Sequence, residues 1–400
     1  MRLAVAALAV LGCGETKVVW PDTPAVWPDP TDYPGPTGGR LYLTNSGDDT
    51  VSVLDMETLA ELDRVPVGLV PVEKEGPHHL AISPDGEWAF IGISNFVPGS
   101  GSGPHGVHGG GDADGYCLKM SLADHRIVAE ARVDRNPGDV RMLPDGTVLQ
   151  SHFDLRALQE ALAEDKPVEE GYSRLAIIDG STMQIRHRPE VCAAPHGIAT
   201  ATDGGAVYLA CYGSDEVGIV DLTGGEPTVS RVPLGDDARV GVPAYGPYAV
   251  AVSPADGSVW LSCWMDDSVP DQLGEVRVFD PESGEMDESR VTRQLGNPMF
   301  GTFSRDGARF YAPYQISDVV AIVDTETMDE IESVALDRDA CLNVHALALS
   351  PDESSLYAVC EGDRRGPGTL LELDPATLEM RRFVEVGVFP DDVAILVLPE

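Results

Sequence analysis

The chain has 400 residues, with 42 glycines, 31 prolines and a hydrophobic fraction of 43%. That length allows two or three average domains or one large β-domain, and the glycine and proline counts suit a protein of many turns rather than a helical one. Its 66 acidic and 27 basic residues give a formal net charge of −39, which repels nucleic acid and excludes it as a partner.

The chain opens MRLAVAALAVLGCGE, with a single Arg2, an apolar run from Leu3 to Leu11, and Cys13 just beyond it. The run is too short to cross a bilayer as a helix. It resembles a bacterial lipoprotein export signal, which implies cleavage after residue 12 and lipidation of Cys13. Leu11 and the brevity of the signal depart from the usual pattern, and a plain secretory signal is the alternative. Either way the chain is expected to be exported to the bacterial cell envelope, periplasm or outer membrane. It would meet a membrane only through the lipid. Residues 18–39, VVWPDTPAVWPDPTDYPGPTGG, hold six prolines. They read as an extended tether. The expected organisation is therefore a signal over 1–12, a lipid-anchored tether over 13–39, and a folded body over 40–398.

The body is a repeat. HLAISPDG (79–86), VRMLPDG (140–146), IATATDGG (198–205), VAVSPADG (250–257), GTFSRDG (301–307) and LALSPDES (347–354) are short apolar strands that end in polar turns. A second strand follows each turn, as in WAFIGI, VYLAC and LYAVC. A third ends in aspartate in most units: Asp55, Asp179, Asp221, Asp280, Asp324 and Asp374. That aspartate is expected to cap the tight turn after it. A fourth strand closes each unit. Four antiparallel strands at this period predict a β-propeller. The body begins with a second strand, LYLTN (41–45), and ends with an orphan first strand, DDVAILVL (391–398). The fold class is therefore all-β, a seven-bladed β-propeller closed by the C-terminal strand completing the first blade. LYLTN, VSVLDMETL, RVPVG and HLAISPDG together resemble the YVTN-type β-propeller repeat family over about 360 residues. That family includes surface proteins, lactonase-like enzymes and cofactor-binding oxidoreductase domains, so the resemblance specifies fold more than function.

Antiparallel order sorts the unusual residues. The start of each first strand and the end of each second strand share one face. Cys192 and Cys341 fall in the loops that enter blades 4 and 7, and Cys211 and Cys360 end second strands nineteen residues later. Each pair is adjacent across a ladder, so two disulfides are expected, Cys192–Cys211 and Cys341–Cys360. Cys117 and Cys263 are left over. His78, His196 and His345 occupy one column at the start of the first strand in blades 2, 4 and 7, with Asp391, Gly138, Tyr248 and Met299 at the same place in the others. Three imidazoles spaced this evenly can converge on the axis and hold copper or zinc, with Tyr248, Met299 or Asp391 as further ligands. The alternative is a histidine-lined channel without metal. The idea is similar to nitrous oxide reductase, which places copper-binding histidines at the centre of a seven-bladed propeller.

Three insertions share that face: the glycine-rich loop 96–115 with His105 and His108, the segment 153–171 with helical spacing in LRALQEALAED, and residues 264–274. Loops on a rigid scaffold commonly carry function. No nucleophile elbow, phosphate loop, zincin motif or haem-attachment motif occurs in the sequence. The first expectation is thus a binding or scaffold protein, a monomer, taking a protein, glycan or small ligand at the loop-rich face. A metal-dependent oxidoreductase or hydrolase is the second, and a lactonase-like hydrolase the third.

Overall fold

The computed structural model describes residues 38–68, 74–94, 111, 113–264 and 273–397. Seven four-stranded antiparallel sheets stand around a common axis. The protein is a seven-bladed β-propeller. Blades 2 to 7 each run from an inner strand outward in chain order. Blade 1 is composite: its inner strand is Pro390–Leu396 from the C-terminus, paired antiparallel with Arg40–Asn45. This closure covers the inner edge of Arg40–Asn45, which would otherwise be left unpaired.

The aspartate at the end of each third strand acts as expected. Asp55 accepts from the Thr58 N–H at 2.9 Å, Asp221 from Thr223 at 2.8 Å, Asp280 from Glu282 at 2.9 Å and Asp374 from Thr377 at 3.1 Å. Asp179 and Asp324 do the same for Thr182 and Thr327. Each carboxylate satisfies turn N–H groups that no ladder reaches. Apolar side chains pack the seams between blades. Ile91, Leu118 and Val53 pack one seam, and Trp260, Phe310 and Val278 another.

Both expected disulfides are present, with Cα–Cα separations of 5.9 Å for Cys192–Cys211 and 5.3 Å for Cys341–Cys360. Cys117 and Cys263 are free and buried. One placement differs from expectation. Cys341 lies between strands, but Cys192 sits in a short strand, Glu190–Ala193, paired with Tyr172–Arg174. The insertion in blade 3 returns beside the sheet and offers a strand edge, and the segment leading into blade 4 pairs with it. The helical part of that insertion is Leu155–Ala163, capped by Asp154, whose carboxylate accepts from the Ala157 N–H at 3.0 Å.

The inner strands share an irregularity that positions the site. In blade 2, Pro77 pairs with Ile93 but Leu80 pairs with Ile91, so three steps of one strand face two of its partner. Blades 3 and 4 repeat this after Pro137 and Pro195, and blades 5 and 7 have the same extra residue after Pro247 and Val344. Blade 1 has it too, between Pro390 and Val393. A β-bulge breaks the strict alternation of a strand and re-aims side chains. Here it lets two consecutive residues of a blade approach the axis, where plain alternation brings only one.

The residue before the bulge adopts positive φ in most blades, as at Gly76 (60°), Asn136 (52°), Gly246 (57°) and Asn343 (59°). Aspartates from the neighbouring blade hold several of these corners. Asp49 accepts from the Glu75 and Gly76 N–H groups at 2.9 and 2.7 Å. Asp215 accepts from those of Ala244, Tyr245 and Gly246, and Asp318 from those of Asn343 and Val344.

Candidate metal centre

The bulges place His78 and His79 of blade 2, Asp139 of blade 3, His196 of blade 4, His345 of blade 7, and Asp391 and Asp392 of blade 1 around the axis. All are buried. Gly197, the residue after His196, allows close approach of the next blade: a Cβ there would stand 2.8 Å from the Ala249 Cα and 3.0 Å from the Tyr248 carbonyl oxygen.

The expected trio of His78, His196 and His345 is divided between two donor groups. His78, His79 and His196 present ligand atoms within 4.8 Å of one another, and His345 does so with Glu361 and Asp391. His78 and His345 are still neighbours, their ring centroids 6.2 Å apart. In the first group the Nε2 atoms of His78 and His196 are 3.1 Å apart. Two nitrogens bound to one tetrahedral ion at about 2.0–2.1 Å lie roughly 3.3–3.4 Å apart, so the spacing suits a shared ion. His79 Nε2 is buried and has no hydrogen-bond partner among the described residues.

Carboxylates stand behind two of these rings. His78 Nδ1 is 3.0 Å from Asp391 Oδ2. His79 Nδ1 is 3.1 Å from Asp392 Oδ2 and 3.5 Å from Asp139 Oδ1. A carboxylate behind the far nitrogen orients a metal-binding imidazole and makes it a better donor. The third ring is held by packing. Tyr248 stacks on His196 at 3.9 Å and on Trp264 at 4.4 Å, and Phe153 meets His196 edge-on at 5.0 Å. Tyr248 thus gives His196 its ring face. Met299 is engaged elsewhere, its sulfur accepting from Trp264 Nε1 at 2.9 Å. Asp391 belongs to the second donor group while also backing His78.

Burial shifts several groups around the centre. It drives His79 well below its ordinary value, helped by the neighbouring His78, and takes His345 down to about 4. Both rings are therefore held neutral, the form that binds metal. Burial also raises Asp392, pushes Asp139 up to about 7 against the pull of Arg141, and pushes Glu361 up to about 8. Burial acts on Asp391 in the same sense, but the charge of His78 and its hydrogen bonds outweigh it and hold the carboxyl below its usual range.

No family model and no curated protein matches this sequence. Solved structures do. The periplasmic gluconolactonase PpgL of Pseudomonas aeruginosa superposes with a TM-score of 0.62 at 15% identity, covering 90% of this chain and 99% of that one. Apo AztD from Citrobacter koseri gives 0.56 at 12%, covering 90% and 98%. Kuenenia stuttgartiensis hydrazine synthase gives 0.56 at 16%, covering 86% and 96%. At such identities the likeness establishes the seven-bladed fold alone, and the diversity of these proteins shows how little the fold specifies chemistry.

Four groups of the centre were not candidates on sequence grounds: His79, Asp139, Glu361 and Asp392. The first, second and fourth share one repeat position, immediately after the histidine column, and that column was the available signal. Glu361 follows Cys360 directly and had none. Cys13, His105 and His108 lie outside the described residues, as do the signal and nearly all of the tether.

Proposed function

We propose that this is an exported, lipid-anchored propeller of the YVTN type that binds a transition-metal ion, zinc or copper, at its axis through His78, His79 and His196. The observation that carries the reading is the convergence of three buried imidazoles, two of them backed by carboxylates. Imidazole donors suit zinc and copper, and three of them leave a coordination position for water or a ligand. In this reading the metal supplies a Lewis-acidic, ligand-accepting centre. The protein's own residues orient the rings and exclude bulk water. Two disulfides support export, since such bonds persist in oxidising compartments. The signal-like N-terminus with Cys13 supports the anchor. The loop-rich face is the natural place for a protein, glycan or small-ligand partner. The lactonase-like reading is supported by fold likeness alone and stands behind the metal reading.

The test is metal analysis of the full-length Cys13→Ser protein, purified without a histidine tag and reconstituted with zinc or copper. His196→Gln, which preserves volume and a polar end, is expected to lose an equivalent of metal. Its near-UV circular dichroism should match that of the metal-free parent. Equal metal content in parent and variant overturns the reading. For the anchor, Cys13→Ser should move the protein from the membrane to the soluble fraction, and unchanged fractionation counts against lipidation.

A further inference from the structure

His345, Glu361 and Asp391 are left over from the three-histidine centre, and they converge in the same way. They reach one point from three places in the fold: the inner strand of blade 7 (Val344–Leu349), the residue following its second strand (Leu356–Cys360), and the closing strand Pro390–Leu396. All three are fully buried, and their ligand atoms lie within 4.8 Å of one another.

Each is oriented from behind. His345 Nδ1 stands 2.6 Å from the main-chain oxygen of Asp391, so this nitrogen carries the proton and donates it, and in the neutral ring Nε2 is a lone pair. This Nε2 lies 3.8 Å from Glu361 Oε1, beyond hydrogen-bond reach. Gln315 Nε2 donates to the same carboxylate at 2.8 Å, and Arg364 pairs with Oε2 through its Nε at 2.7 Å, which locks the group in place. Asp391 receives Ser46 Oγ on Oδ2, the oxygen that also faces His78. Its other oxygen, Oδ1, is buried with no hydrogen-bond partner among the described residues. A carboxylate oxygen taken out of water without a partner is costly, and a cation at this point satisfies it together with the two facing donors.

We infer that His345, Glu361 and Asp391 form a second divalent-cation site, harder in character than the three-histidine site beside it. One imidazole nitrogen and two carboxylate oxygens accept zinc, but they also suit manganese, for which three imidazoles are a poorer match. Asp391 links the two sites: its Oδ2 stands behind His78, and its carboxylate is one of the three donors of the second group. The second site has its own donors and does not depend on the first being occupied.

The experiment loads metal-free, full-length Cys13→Ser protein with zinc alone or with manganese alone. It compares the parent with Glu361→Gln, which preserves shape and the contact to Gln315, and with His196→Gln. Two zinc equivalents are expected in the parent and one in each variant. One manganese equivalent is expected in the parent and in His196→Gln, and none in Glu361→Gln. His345→Gln replaces Glu361→Gln as the deciding variant if the latter loses the parent's near-UV spectrum. A single zinc equivalent that disappears in His196→Gln and survives in Glu361→Gln overturns the second site and leaves the first standing. A single equivalent with the opposite pattern supports the second site and removes the first. A parent that binds no manganese also overturns the inference.

Discussion

His79 of blade 2 and Asp392 of the closing strand meet at the axis, Nδ1 to Oδ2 at 3.1 Å, although they come from nearly opposite ends of the body. Asp392 is itself fastened, accepting from the Leu80 N–H at 3.3 Å and the Val393 N–H at 2.9 Å. Closing the ring therefore also builds the centre: the strand that completes blade 1 delivers the carboxylates behind His78 and His79.

Asp392→Asn keeps the size of the side chain but removes the charge behind His79. Loss of such a supporting group typically lowers metal affinity about 10–100-fold. A chelator-competition titration of the Cys13→Ser parent and the variant reads this directly, and matched affinities would show that Asp392 serves only the fold.

The disulfides make two predictions. Cys117 and Cys263 are buried, and burial pushes the Cys117 thiol up to about 12. The folded Cys13→Ser protein should therefore expose no reactive thiol, and two should appear after denaturation without reductant. Replacing Cys192 and Cys211 together by serine frees a closed segment with a sequence separation of 19, expected to cost about 3 kcal/mol in urea unfolding. Six thiols in the denatured protein would rule both bonds out.

Asp215 is a buried anchor between blades 4 and 5. Its two oxygens accept from the N–H groups of Arg239, Ala244, Tyr245 and Gly246 at 3.0, 2.6, 3.1 and 2.8 Å. Asp215→Ala leaves these donors without their acceptor. Since hydrogen bonds to a charged group contribute about 1.5–3 kcal/mol each, the loss should reach at least about 3 kcal/mol. Asp215→Asn should lose less, because its side-chain oxygen still accepts. A variant as stable as the parent in equilibrium unfolding would contradict the anchoring role.

His152 gives a pH dependence outside the metal centre. Its Nε2 accepts the Asp134 N–H at 3.1 Å while Nδ1 donates to the Arg174 carbonyl, an arrangement that requires the neutral ring. Burial lowers its pKa from the ordinary 6.5. The unfolded chain thus takes up a proton that the folded one refuses. Stability is full above about pH 6.5 and falls as pH drops toward the folded value, by up to about 1.4 kcal/mol per pH unit. His152→Gln should flatten this part of the curve, and the measurement is urea unfolding of parent and variant between pH 7.5 and 5. An unchanged slope would assign the acid sensitivity to other groups.

The repeat was legible because each blade reuses the same local chemistry: an apolar inner strand, a polar turn, and an aspartate such as Asp55 or Asp374 that satisfies turn N–H groups within a few residues of itself. The orphan strand at the C-terminus implied closure, since a lone edge must find a partner. Both disulfides followed from antiparallel order, which puts the start of one strand beside the end of the next. The histidine column was visible for the same reason.

The composition of the centre was not legible, and one local irregularity explains why. A strand alternates its side chains, so the sequence by itself indicated one axial residue per blade. The bulge after Pro77 and Pro390 admits a second, and so His79 and Asp392 join His78 and Asp391. Which groups then meet depends on the ring. His196 pairs with His78, whereas His345 turns to Glu361 and Asp391, because blade 7 adjoins the composite blade 1. The sequence by itself determined the blades, their closure and their staples, all products of neighbouring residues and strand order. Only the tertiary structure decided how the axial side chains divide into a three-histidine group and a mixed carboxylate group, because that division rests on distances between strands that the chain does not connect directly.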